Sequence, residues 1–226
     1  MARTERAGVV LFDWDDTLCG AVPHRYETIE GVLGTFGHRL DRPALHRAWV
    51  AADDPVVGRD TSGFWGRLQR ELRLEGRPEV AEALSAEFAR REAMLRFEVY
   101  AEAVALLDRL GADGWRLGVI SNNVRAAERV VELGLSARFD VVVTPRDAGG
   151  VGKPDPAIFQ VALERLGAPA GATFYVGDTF ETDVLGARAA GLRPLLVDRL
   201  GVTILPEDDA CAVLPSLADV LDRLPR

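Results

Sequence analysis

Cysteine is nearly missing from this chain: Cys19 and Cys211 are the only two in 226 residues. Two thiols build neither a disulfide framework nor a thiolate metal centre. The three histidines, His24, His38 and His46, lie in one half of the sequence, so zinc chemistry is not expected. Long hydrophobic runs are missing too. The apolar stretch Val9, Val10, Leu11, Phe12 behind the N-terminal Met-Ala-Arg-Thr-Glu-Arg is too short for a signal sequence or a membrane span, and a cytoplasmic location is expected. An excess of positive charge is absent. A net charge of −8 and a pI near 5.0 offer no basic face for nucleic acid or an anionic membrane, so neither is expected as a partner and a small molecule fits better. Lysine is the sharpest shortage: of 27 Lys plus Arg residues only Lys153 is lysine, which leaves 26 arginines.

What is present suffices for a packed interior. Apolar residues make up 48% of the chain and charged residues 27%, mixed along its length, so no segment has the composition of disorder. Short apolar runs alternate with helical patterns, which predicts βα units and a mostly parallel sheet. The runs are Val9 to Phe12, Leu117 to Ile120, Phe139 to Val143, Phe174 to Val176 and Pro194 to Val197. Helices are predicted over Ala101 to Leu110, Val124 to Leu133, Pro156 to Leu166 and Thr182 to Ala190, the last three closed by Gly134, Gly167 and Gly191. Residues 20 to 97 break the rhythm. They show no strand-like run, only amphipathic helices, the clearest being Glu79 to Met94 with Val80, Ala83, Leu84 and Phe88 on one face. Trp49, Phe64 and Trp65 are read there as helix-packing residues rather than a substrate box. No internal repeat or low-complexity tract occurs.

Three of the apolar runs end in polar clusters: Asp13, Asp15, Asp16 and Thr17; Ser121, Asn122 and Asn123; and Gly177, Asp178 and Thr179. In open parallel sheets the ligand crevice lies at the carboxyl ends of the strands. Asp13 and Asp15 are two apart, so in extended chain both carboxylates face the same way, which is costly without a cation. Each cluster also has a plainer reading. An Asp can open a turn, Ser121 or Asn122 can cap the following helix, and Asp178 with Glu181 has capping-box spacing. Asp183 does not share that explanation. Asp155 before Pro156 reads as a helix N-cap, which leaves Lys153 presented from a turn rich in glycine. Were Asp13, Asp15, Asp178 and Asp183 to converge on Lys153, four negative charges against one positive could not hold a phosphate dianion. A divalent cation would be required, and with oxygen donors Mg²⁺ or Mn²⁺ is favoured over zinc.

These residues together resemble the haloacid dehalogenase superfamily of phosphohydrolases. Asp13-Trp14-Asp15-Asp16-Thr17-Leu18 is similar to its first motif, Ser121 to the second, Lys153 in Gly-Lys-Pro-Asp-Pro to the third, and Gly177-Asp178 with Asp183 to the fourth. The resemblance implies an α/β fold, with a Rossmann-like parallel-sheet core in residues 1–19 and 98–226 and an α-helical cap inserted at residues 20–97. It implies a Mg²⁺-dependent phosphomonoesterase acting on a small phosphorylated metabolite through an aspartyl-phosphate. Asp13 would be the nucleophile and Asp15 the acid and base. Ser121, Asn122 and Lys153 would hold the phosphoryl group. Asp13, the Asp15 carbonyl, Asp178 and Asp183 would hold the metal. Asp16 departs from the pattern, since the family often has Gly there. Asp15 speaks against a dehalogenase; a phosphomutase keeps both aspartates and stays open. A signalling receiver domain shares the acidic cluster, Ser or Thr and Lys, but is about half this size and places its phosphoacceptor on a later strand. Monomer and homodimer are both compatible with the sequence, and Arg25, Tyr26 and Arg59 of the inserted segment receive no role.

Overall fold

The computed structural model describes residues 8–52 and 61–225, with the side chains of residues 61 and 62 excepted. The chain is organised as two compact units, one of Met1–Cys19, Val99–Arg199 and Leu205–Arg226, the other of Gly20–Glu98 and Leu200–Ile204. Arg59 lies outside the described residues.

The first unit is an α/β Rossmann-like fold. Its sheet has six strands in the order β5-β4-β1-β6-β7-β8, every neighbouring pair parallel. The strands are β1 (Val9–Phe12), β4 (Arg116–Ile120), β5 (Val141–Val143), β6 (Thr173–Gly177), β7 (Arg193–Val197) and β8 (Val213–Leu214). All four residues of β1 and all five of β6 are buried, as expected of strands covered on both faces. β5 is shorter than its apolar run. Phe139 closes a 3₁₀ turn over Ser136–Arg138, and Asp140 is engaged with Leu117 through both its backbone N–H and its carboxylate. β8 has only two residues and offered no run to read.

Helices α5 (Ala101–Ala112), α6 (Ala126–Glu132), α7 (Pro156–Leu166) and α8 (Leu185–Ala189) complete this unit. α7 follows its sequence signals: the Asp155 carboxylate accepts from Ala157 N–H at 2.8 Å, Pro156 opens the first turn, and Gly167 ends it at φ 58°, a left-handed conformation that glycine adopts without strain. α6 begins two residues later than predicted. α8 is preceded by a π-helical turn, Phe180–Val184, so the predicted single helix from Thr182 is two pieces. One core cluster joins Leu11, Ile120, Val143, Phe159, Ala162 and Tyr175 across four strands and α7.

The second unit contains α1 (Arg25–Thr35), α2 (Arg42–Ala52), α3 (Thr61–Glu71) and α4 (Pro78–Met94). Its own core gathers Tyr26, Ile29, Leu33, Leu45, Leu68 and Leu84. Trp49 meets Phe64 edge-on with ring centres 4.9 Å apart, and Trp65 meets Phe88 at 4.8 Å, so these aromatics do pack helices together. The expectation that this stretch has no strands needs correction. β2 (Cys19–Val22) and β3 (Arg96–Val99) form a two-stranded sheet where the chain leaves and re-enters the α/β unit. Four residues each, one run rich in small side chains and the other with charges interleaved, gave no apolar signal. Among the described residues no helix is long and apolar enough to cross a membrane.

Candidate active site

The sheet order puts β1 between β4 and β6, so the carboxyl ends of three polar-tipped strands stand side by side. Asp13 is the first residue past β1 and its N–H still donates to the Val176 carbonyl at 2.8 Å. The chain then reverses: Leu18 and Cys19 N–H both donate to the Trp14 carbonyl, while Thr17 Oγ1 reaches back to Asp13 Oδ2 at 3.4 Å. Trp14 is fully buried. Asp16 takes φ 61°, a left-handed conformation that glycine enters most easily and Asp or Asn next. Arg199, beyond β7, donates to the Thr17 carbonyl at 2.8 Å and pairs with Glu102 at 2.8 Å, which fastens the turn from outside.

Lys153 crosses into the same space. Its ammonium lies 2.5 Å from Asp13 Oδ1, 2.6 Å from Asp183 Oδ1 and 3.0 Å from the Tyr175 hydroxyl, with all four side chains buried. Its backbone is held by Asn122, whose Oδ1 accepts from Lys153 N–H at 2.6 Å and whose Nδ2 donates to the Lys153 carbonyl at 2.9 Å. Asp183 sits in the π-helical turn and also accepts from Thr179 N–H through Oδ2. It passes so close to Gly177 that any Cβ there would collide with its carboxylate.

The second and third clusters depart from their plainer readings. Ser121 Oγ accepts from Asn123 N–H at 3.0 Å and does not cap α6, whose N-cap is Arg125. Asn123 accepts from Arg125 N–H, which turns its Nδ2 toward Asp15 Oδ1 at 3.4 Å. Asp178 is no helix cap, because the π-helical turn begins at Phe180 with Thr179 as its N-cap and has no side-chain cap. Instead one carboxylate oxygen each from Asp13, Asp178 and Asp183 lies within 4.8 Å of the others.

Electrostatics follow from this crowding. Burial pushes the Asp13 carboxyl up, the Lys153 charge pulls it back, Asp183 and Asp15 push again, and the balance lies at about 7. Burial opposes the Lys153 charge, but Asp13 and Asp183 outweigh it and hold the ammonium above the ordinary lysine range. The Tyr175 hydroxyl is held well above its usual value by burial and by Asp183, so it remains a neutral hydrogen-bonding group. Burial likewise raises the nearby Cys19 thiol, with Asp15 and Asp13 adding to it, which removes it as a nucleophile. Three carboxylates facing one another, with the Lys153 ammonium to offset them, form an all-oxygen donor set that could hold a hard divalent cation.

Of the residues picked out in the sequence, Asp13, Lys153, Asp178 and Asp183 are brought together directly. Asp15 faces Asn123 and is not among the three carboxylates. The Asn122 side chain, expected at a phosphoryl group, is committed to the Lys153 backbone. Tyr175 was missed, and Asn123, named in the second cluster, was given no role. A lone tyrosine in the buried run Phe174 to Val176 was the signal for the first, since a buried phenol needs a partner.

A family model for haloacid dehalogenase-like hydrolases matches residues 8–191. The chain is 31% identical to a phosphoserine phosphatase of Thermus thermophilus over 88% of its own length and 91% of that protein. It is 31% identical to a phosphoglycolate phosphatase of Xanthomonas campestris over 81% and 79% of the two chains. Among solved structures, the L-2-haloacid dehalogenase RSc1362 superposes with a TM-score of 0.68 at 25% identity, covering 97% of this chain and 99% of that one. Matched over most of its length by the family model and by relatives above 30% identity, the chain belongs to the haloacid dehalogenase-like hydrolases.

Proposed function

We propose that this hydrolase is a Mg²⁺-dependent phosphomonoesterase that cleaves a small phosphorylated metabolite through an aspartyl-phosphate on Asp13. The observation that carries the reading is the buried Asp13 carboxylate at the tip of the central strand, 2.5 Å from Lys153, with a second carboxyl group, Asp15, two residues on. An Asp13 oxygen attacks phosphorus in line and the bond from phosphorus to the alcohol oxygen breaks. Asp15 supplies the proton that the departing oxygen needs. Asp15, now a carboxylate, takes a proton from water, whose oxygen attacks phosphorus and frees Asp13 and inorganic phosphate. Ser121 and Lys153 hold the phosphoryl oxygens, and Asn122 serves by fixing the Lys153 turn. Mg²⁺, held by Asp13, Asp178, Asp183 and the Asp15 carbonyl, would neutralise charge on the phosphoryl group. Residues 20–97 are read as the cap that selects the substrate, supported by their insertion between the first two motifs and their separate helical core.

The likeness to a dehalogenase raises a second reading, which Asp15 disfavours: displacing halide from carbon needs no proton donor to the leaving group. A phosphomutase would use both aspartates. Phosphate release from a panel of phosphorylated metabolites, phosphoserine and phosphoglycolate included, separates hydrolysis from isomerisation. Activity is expected with Mg²⁺, none in excess EDTA, and none in a folded Asp13→Asn variant. Full turnover in either condition sinks the reading.

A further inference from the structure

Resting on that reading, we infer that Tyr175 is a positioning residue that acts through Lys153, its hydroxyl fixing the ammonium between Asp13 and Asp183. β6 is an interior parallel strand whose every residue is buried, the place where an aliphatic side chain is ordinary and a phenol is not. The ring is clamped from one side, with Phe159 edge-on at 5.0 Å and 72°. Its oxygen therefore has little freedom, and around it lie Lys153 Nζ at 3.0 Å, Asp183 Oδ1 at 3.0 Å and the Ile120 carbonyl at 3.2 Å. The phenol has one proton, which goes to Asp183 or to Ile120, and its lone pair faces the ammonium.

Lysine is a compact charge on a flexible four-carbon stem. Two of the Lys153 N–H bonds go to carboxylates and the third to Tyr175. Asn122 pins the backbone end of the side chain and Tyr175 its tip. Without the hydroxyl the third N–H loses its acceptor, and the ammonium can swing away from Asp13. Tyr175 also joins the end of β4, just before Ser121, to the Lys153 turn and to Asp183, so one oxygen ties together the elements of three motifs. A plain core tyrosine would need the ring and would be indifferent to the oxygen.

Tyr175→Phe keeps the ring and removes only the hydroxyl. Because Lys153 is the only lysine, protein grown on ¹⁵Nζ-lysine gives a single ammonium signal, which reads its environment without any assay of activity. In the full chain that signal is expected to be ordered and slow to exchange protons with water. In Tyr175→Phe it should shift and exchange at least about tenfold faster, the scale of one lost hydrogen bond to a charge. With the best substrate, kcat should fall by roughly tenfold with KM within about twofold. An unchanged ammonium signal, or a kcat within twofold of wild type, overturns the inference while leaving the function intact. An active Asp13→Asn enzyme overturns the function, and the ammonium measurement still judges Tyr175. A loss of thermal stability in Tyr175→Phe with no change in the Lys153 signal assigns the hydroxyl to folding alone.

Discussion

The two units bury different things. The helical unit hides mainly aliphatic and aromatic side chains, its described helices meeting over Leu33, Leu45, Leu68 and Leu84 with a rim of tryptophan and phenylalanine, and the buried His46 and Arg91 each hydrogen-bonded to a neutral partner. The α/β unit hides a larger apolar core and, beyond the tips of its central strands, Asp13, Ser121, Lys153 and Asp183 as well. Buried charge is costly unless paired and hydrogen-bonded, so the three charged groups, Asp13, Lys153 and Asp183, are paired across distant parts of the chain. One unit is therefore governed by volume and the other, at one end, by charge geometry. Changes of equal size should be felt differently in each.

The sharpest break is Lys153→Arg. Charge is kept, but a planar guanidinium is wider than an ammonium and has no room between Asp13 and Asp183. kcat is expected to fall roughly 10² to 10³, about 3–4 kcal/mol, in a protein that still folds. Steady-state kinetics with circular dichroism test it, and near wild-type kcat would mean that charge alone suffices. In the helical unit the matching change is Leu84→Ala, where a fully buried side chain leaves a cavity. A loss of about 2–4 kcal/mol in stability is expected by denaturant titration. Trapping of Asp13 by beryllium fluoride should persist at 25 °C, and if it fails the two units do not divide the labour in this way.

Gly177→Ala brings the two currencies together. The added methyl is small, yet it meets the Asp183 carboxylate and must displace it. A 10- to 100-fold loss in kcat with a raised Mg²⁺ requirement is expected, the scale of one misplaced catalytic group; an unchanged Mg²⁺ titration would separate Asp183 from the metal. The smallest effect should come from Asp16→Gly. Its φ of 61° suits glycine, while the greater freedom of glycine in the unfolded chain offsets part of the relief. A change in stability under about 1 kcal/mol is expected, with kcat within about threefold. A large loss in kcat would give the Asp16 carboxylate a part in the chemistry.

Much of this was already determined by sequence. Strand runs and helix stops are local, so Val9 to Phe12 as a strand and Asp155-Pro156 to Gly167 as a bounded helix could be read from period and cap chemistry. The acidic pair, Ser121, Lys153 and the Asp178–Asp183 segment could be picked out because each ends a run or stands outside a structural explanation. Only the tertiary structure decided that β1 lies between β4 and β6, that Asn122 turns to the Lys153 backbone 31 residues away, and that Tyr175 reaches the ammonium 22 residues away. It also decided that Asp178 joins Asp13 and Asp183 instead of capping a helix. The reason is range. Periodicity and capping report how a residue meets its neighbours within a turn or two. Strand order and the partners of buried polar groups are contacts between distant segments, and those exist only once the chain has closed around them.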